Sequence, residues 1–147
     1  MQKEIKKTWY FPQSPEEVWE YLTNPELIEL WLAKTDFKPI AGNRFQFTNS
    51  CDGGDRKPHF TFCKVLEIVP CKLLSYSWQK GVSEDAITLD SVVTWTLTGK
   101  DGGTQLHLQH NGFYLLEDVM AHTNGWNGCL NKIIALINTA SHATSNA

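Results

Sequence analysis

The 147-residue sequence has no long apolar run, no concentration of positive charge, no paired cysteines and no low-complexity stretch. Nothing in it approaches the roughly 18 to 20 apolar residues that a membrane-spanning helix requires. The opening Met1-Gln2-Lys3-Glu4 also lacks the apolar centre of a signal peptide, so the sequence predicts a cytoplasmic protein. Lys and Arg total 13 against 16 Asp and Glu, for a formal net charge of −3, and only the Lys3–Lys7 cluster interrupts their scatter. Nucleic-acid-binding faces collect basic side chains into a patch or stripe, and without one nucleic acid is not an expected partner.

Cys51, Cys63, Cys71 and Cys129 are spaced by 12, 8 and 58 residues, with no Cys-x-x-Cys pair and no nearby Cys/His quartet. That pattern fits neither a zinc site nor a redox pair, and reduced thiols acting as small hydrophobes are expected. Cys63 and Cys71 could face each other across a hairpin, which geometry must decide. A phosphate loop and a nucleophile elbow are both missing. Asp52, Asp55, Glu84, Asp85 and Asp90 fall in polar turns without the pairing that glycosidase or metal chemistry needs. Neither a metal nor a cofactor is implied.

Large flat side chains, by contrast, are plentiful: six Trp, seven Phe and four Tyr in a chain that is 41% hydrophobic. Residues 1–147 fit one domain, and a domain of this size buries roughly 70% of the surface of its unfolded chain. The core is expected to be built largely from rings.

Glu4–Phe11 is rich in β-branched and aromatic residues and reads as a first strand. Ser14-Pro15-Glu16-Glu17 then combines an N-cap, a first-turn proline and a glutamate three residues after the cap, a helix start that Asn24-Pro25-Glu26 repeats. Two short helices should follow. Five further strands are expected at Asn43–Asn49, His59–Val69, Lys72–Gln79, Ser91–Thr98 and Thr104–Asn111, giving six in all. Alternation groups Leu74, Tyr76 and Trp78, then Val93, Trp95 and Leu97, then Leu106, Leu108 and His110 on inner faces. In His59–Val69 the pattern is inconsistent and points to a bulge or an exposed stem near Lys64. Lys80–Asp90 reads as a flexible connection, and His142–Ala147 as a frayed tail.

The last long periodic segment places Trp126, Leu130, Ile133 and Ile137 on one helical stripe. A helix over about Val119–Ile137 should lie across the sheet, an α+β layer arrangement. Gly125 and Gly128 each weaken it by roughly 1 kcal/mol relative to Ala, which suggests that something approaches its backbone closely there.

Four phrases recur in order: Ser14-Pro-Glu-Glu-Val18-Trp19; Leu22-Thr-Asn-Pro25-Glu-Leu27 with Trp31; Val65-Leu-Glu-Ile-Val-Pro70 with Leu73 and Trp78; and His122-x-x-Gly125-Trp126-x-x-x-Leu130. Together they resemble the activator-of-heat-shock-protein-90-ATPase homologue family, within the START and polyketide-cyclase-like (SRPBCC) superfamily. The resemblance implies a helix-grip fold: a curved six-stranded antiparallel sheet around a long C-terminal helix, with two short helices between the first two strands. It also implies a cavity between sheet and helix, which in relatives accepts a lipid, polyketide, sterol or other apolar molecule. The superfamily hosts several chemistries, so function must come from the site.

Phe45, Phe47, Phe60, Phe62, Tyr76, Trp78, Trp95, Leu106 and Leu108 are expected on the concave face, with Trp126, Cys129 and Leu130 opposite. Any one of them could equally well be plain core, because protein interiors pack without large voids. His110 is the inward polar candidate, able to orient a ligand or to act as acid or base, or else to serve as a satisfied structural group. His122 could instead fix the final helix. The leading expectation is a non-enzymatic module binding a small apolar ligand with a polar tip. The alternatives are a chaperone-associated or stress-response interaction protein, and a cyclase- or dehydratase-type enzyme using His110.

Overall fold

The computed structural model describes residues 3–48, 60–81, 83 and 85–145, with the side chains of Phe60 and of residues 139–145 outside that description. In chain order the elements are β1 (Lys3–Phe11), α1 (Pro15–Thr23), α2 (Pro25–Trp31), β2 (Lys34–Thr35), β3 (Arg44–Thr48), β4 (Phe60–Val69), β5 (Leu73–Gly81), β6 (Ile87–Lys100), β7 (Gly103–Phe113) and α3 (Leu116–Ser145). The strands form one antiparallel sheet in the order β1-β7-β6-β5-β4-β3-β2. Seven strands replace the expected six. The addition, β2, has two residues, too few to show an alternation.

The helix starts are as the sequence indicates. Ser14 Oγ accepts from the Glu17 backbone N–H at 3.3 Å, and Asn24 Oδ1 accepts from that of Glu26 at 3.0 Å. Each satisfies one of the donors that a helix N-terminus leaves without an intrahelical partner. Asn24 also ends α1, its own N–H bonding to Glu20 O at 2.9 Å, so a single residue separates the two helices.

Two irregularities decide which side chains face inward. Between Val65 and Glu67 the register of β4 on β5 slips by one residue, a bulge at Leu66. Before it Thr61, Cys63 and Val65 are buried; after it the inward parity passes to Ile68, which packs on the core. The second slip lies between Lys3 and Glu4, where β7 spends the extra residue Gly112, at φ +113, against β1. A side chain there would meet the Ser91 Cα at 2.8 Å, and the positive φ itself disfavours any residue but glycine. The bulge turns both His110 and Phe113 inward despite their opposite parity, with ring centroids 4.5 Å apart.

Three boundaries shift by three residues or more. Ile87–Asp90 belongs to β6 with Leu89 buried, which confines the connection after β5 to residues 82–86. The final helix starts at Leu116 and runs to Ser145, through most of the stretch expected to fray. Cys71 lies in the β4–β5 turn at φ 63, away from the buried Cys63, and both are free thiols; Cys51 falls outside the described residues.

Helix α3 buries Trp126, Cys129, Leu130, Ile133 and Ile137 as one stripe. Each Leu or Ile so buried contributes about 1.5–3 kcal/mol, which outweighs what either glycine costs. Contrary to the sequence-based expectation, Gly125 and Gly128 sit on the exposed side with nothing within 4 Å of a Cβ built on either. No close approach to them is present among the described residues. Gly125→Ala and Gly128→Ala are therefore expected to stabilise the protein by roughly 0.5–1 kcal/mol each, read as a higher urea midpoint. A lower midpoint would show that the missing side chain is needed after all.

Candidate functional site

The concave face of β3, β5, β6 and β7 is paved with rings. Phe45 meets Phe37, Phe47 and Tyr76 at centroid separations of 4.8, 5.5 and 5.3 Å, and Phe47 lies 5.4 Å from Trp78. The backbone of α3 runs over β1 and β7 and beside α2. It reaches towards β5 and β6 through Trp126, whose ring is 5.2 Å from Trp78 and 5.4 Å from Trp95. Trp31 of α2 packs edge-on against Trp95 at 6.0 Å. Leu106, Leu108, Cys129 and Leu130 complete this layer, all buried.

The polar atoms of the cluster form a directed chain. Ser91 Oγ donates to the Trp78 carbonyl at 2.8 Å, so its other contact, with His110 Nε2 at 2.8 Å, requires the ring to donate. His110 Nδ1 then accepts from Trp126 Nε1 at 3.0 Å. One tautomer satisfies all three bonds, and they link α3 to β7, β6 and β5. Burial first, then the neighbouring His122 and Lys80, lowers the His110 pKa to about 2, and the ring is neutral at physiological pH. His110 is thus inward, as alternation indicates, but both its nitrogens are engaged. Acid–base chemistry, or contact with a ligand's polar end, would first have to break these bonds.

The other indoles divide sharply. Trp95 Nε1 donates to Tyr76 Oη at 2.9 Å, and Trp31 Nε1 to the Tyr21 carbonyl at 2.8 Å. Burial raises the Tyr76 pKa and keeps its phenol protonated, against the lowering effect of that Trp95 bond. Trp78 Nε1 is buried without a hydrogen-bond partner among the described residues. His122, on the second turn of α3, donates from Nδ1 to the Asp118 carbonyl at 2.8 Å, and its ring lies 5.1 Å from Phe113 and 6.4 Å from Trp78.

Phe62 is not in this cluster. It precedes the Leu66 bulge and pairs with Gln46 and Gln79 on the outer face, where with Leu66, Arg44, Lys64 and Ser77 it lines a groove of about 580 Å³. Phe60 opens β4, but its side chain lies outside the described residues. Phe113 and His122 are the members that alternation misses. The signal for Phe113 was Asn111-Gly112, a glycine inside a strand pattern.

The sequence profile of the Activator of Hsp90 ATPase homolog 1-like protein family matches residues 12–138. The chain belongs to this family. Among solved structures, protein MLL2253 from Mesorhizobium loti is 35% identical, with a TM-score of 0.81 over 93% of this chain and 98% of its own. CalU16 from Micromonospora echinospora shares the fold at 21% identity, with a TM-score of 0.74 over 99% of this chain and 82% of its own. DynU16, of the dynemicin biosynthetic locus, does so at 22% and 0.77 over 93% of this chain and 48% of its own. No curated protein matches the sequence. The chain has a helix-grip fold, and no helix among its described residues is long and apolar enough to cross a membrane.

Proposed function

We propose that the protein binds a small, mainly apolar molecule between the sheet and α3. The observation that carries this reading is the continuous aromatic wall of Phe45, Phe47, Tyr76 and Trp78, which lies beyond the track of the α3 backbone and is bridged to it by the Trp126 ring. Apolar walls with few polar groups are the usual lining of small-molecule sites. These rings are nearly inaccessible to solvent, so a guest enters by turning side chains aside. The end of the sheet where β7 passes into α3 suits such an opening: Tyr114, Leu115, Leu116 and Met120 are there and are each more than half exposed. The occurrence of the fold in DynU16, from a biosynthetic locus, is consistent with a small-molecule guest. His110, with both nitrogens engaged, supports binding rather than turnover.

Titration with fatty acids, sterols and flat aromatic compounds is expected to change tryptophan fluorescence saturably for at least one class, because Trp78 and Trp126 face each other at the site. A flat response to all three would sink the proposal. The exposed run from Tyr114 to Met120 would then favour the second reading, docking of a chaperone or another protein partner. In that case one retained protein should be lost when Leu115 and Leu116 become serine.

A further inference from the structure

We infer that Trp78 Nε1 is the polar anchor of this site, and that the ligand is an uncharged flat molecule presenting a carbonyl oxygen to it. This rests on the binding reading above and adds the chemistry of the guest. Buried donors are nearly always paired, and one that is not calls for a reason. Trp78 is 3% exposed, and its indole N–H has no partner among the described residues. Trp95 and Trp126 beside it both donate, to Tyr76 and His110, while the Nε2–H of His110 is taken by Ser91. The donor without a partner therefore sits where the aromatic wall meets α3.

The surroundings define the rest of the ligand. Around the Trp78 ring stand Phe47, Tyr76, His110, His122 and Trp126, with centroids between 5.2 and 6.4 Å away. Such faces favour a planar guest that stacks or meets them edge-on. A lone indole N–H satisfies one lone pair and does not neutralise a charge, so a buried carboxylate would remain largely uncompensated there. Lys80 lies further along β5, opposite the inward Leu89, and offers the competing possibility of an anionic tip.

Fluorene, 9-fluorenone and fluorene-9-carboxylate separate the cases, with affinity measured by equilibrium dialysis against the full chain. Fluorenone is expected to bind about tenfold more tightly than fluorene, the effect of one buried hydrogen bond, and Trp78→Phe should abolish the difference between the two. In the unsubstituted protein the Trp78 indole proton resonance should move downfield with fluorenone and not with fluorene, which tests the bond even if Trp78→Phe does not fold. Equal affinity for fluorene and fluorenone with an unmoved resonance overturns the anchor and leaves the binding reading standing. Tightest binding of the carboxylate also overturns it, in favour of Lys80. Failure of all three compounds to bind overturns the anchor, and the binding reading then stands or falls with the fatty-acid and sterol titrations.

Discussion

Trp126→Ala is expected to destabilise the protein by about 3–5 kcal/mol, the usual cost of deleting a buried Trp from a core. The ring is 3% exposed and is the piece of α3 that touches both Trp78 and Trp95. Its removal would open a void and would also leave His110 Nδ1 without its donor, adding the penalty of an unsatisfied buried acceptor. Trp126→Phe keeps much of the volume and loses only the N–H, so it should fall between the two. Urea unfolding of the three proteins checks this order. An alanine variant within error of the parent would mean that α3 is not held through this residue.

The second large effect concerns His110 and acid. Its folded-state pKa is lowered to about 2, whereas in an unfolded chain a histidine titrates near 6.5. Below about pH 6.5 the unfolded state takes up a proton that the folded state refuses, so the contribution of this group is complete above that pH and is lost progressively as the pH falls towards 2. The slope attributable to His110 approaches about 1.4 kcal/mol per pH unit. His110→Leu should cost roughly 1–3 kcal/mol at pH 8, because the Trp126 N–H loses its acceptor, yet lose stability less steeply between pH 6.5 and 4.5. Urea midpoints across that range give the comparison. Parallel slopes for the two proteins would show that His110 titrates in the folded state as it does in the unfolded one.

Most of the inner surface was legible in the sequence because residues 74–78, 93–97 and 106–110 alternate large inward side chains with small or polar ones, and a period of two leaves little choice about which face is buried. The caps at Ser14 and Asn24 were equally plain, since capping is settled by neighbouring residues. Bulges defeat the same logic: each shifts parity by one, and although a glycine marks the one at Gly112, nothing local singles out Leu66 as the extra residue of the other. Phe62 was therefore assigned inward from residues beyond the Leu66 bulge, and Phe113 was overlooked beyond Gly112. The inward direction of His110 could be read from its neighbours, but not its engagement. That depends on Ser91 and Trp126, 19 and 16 residues away on other elements. Gly125 and Gly128 misled for a related reason: sequence reveals the cost of a glycine but not whether anything stands next to it.

The indoles of Trp31, Trp95, Trp126 and Trp78 succeed one another at centroid separations of 6.0, 5.4 and 5.2 Å. At such spacing their electronic transitions couple, and near-ultraviolet circular dichroism would be a property of the quartet more than of any one ring. Its members come from α2, from β6, from α3 and from β5. The band should consequently collapse when α3 lifts from the sheet even if every helix and strand keeps its hydrogen bonds, giving this molecule an optical readout of docking that far-ultraviolet spectra would miss.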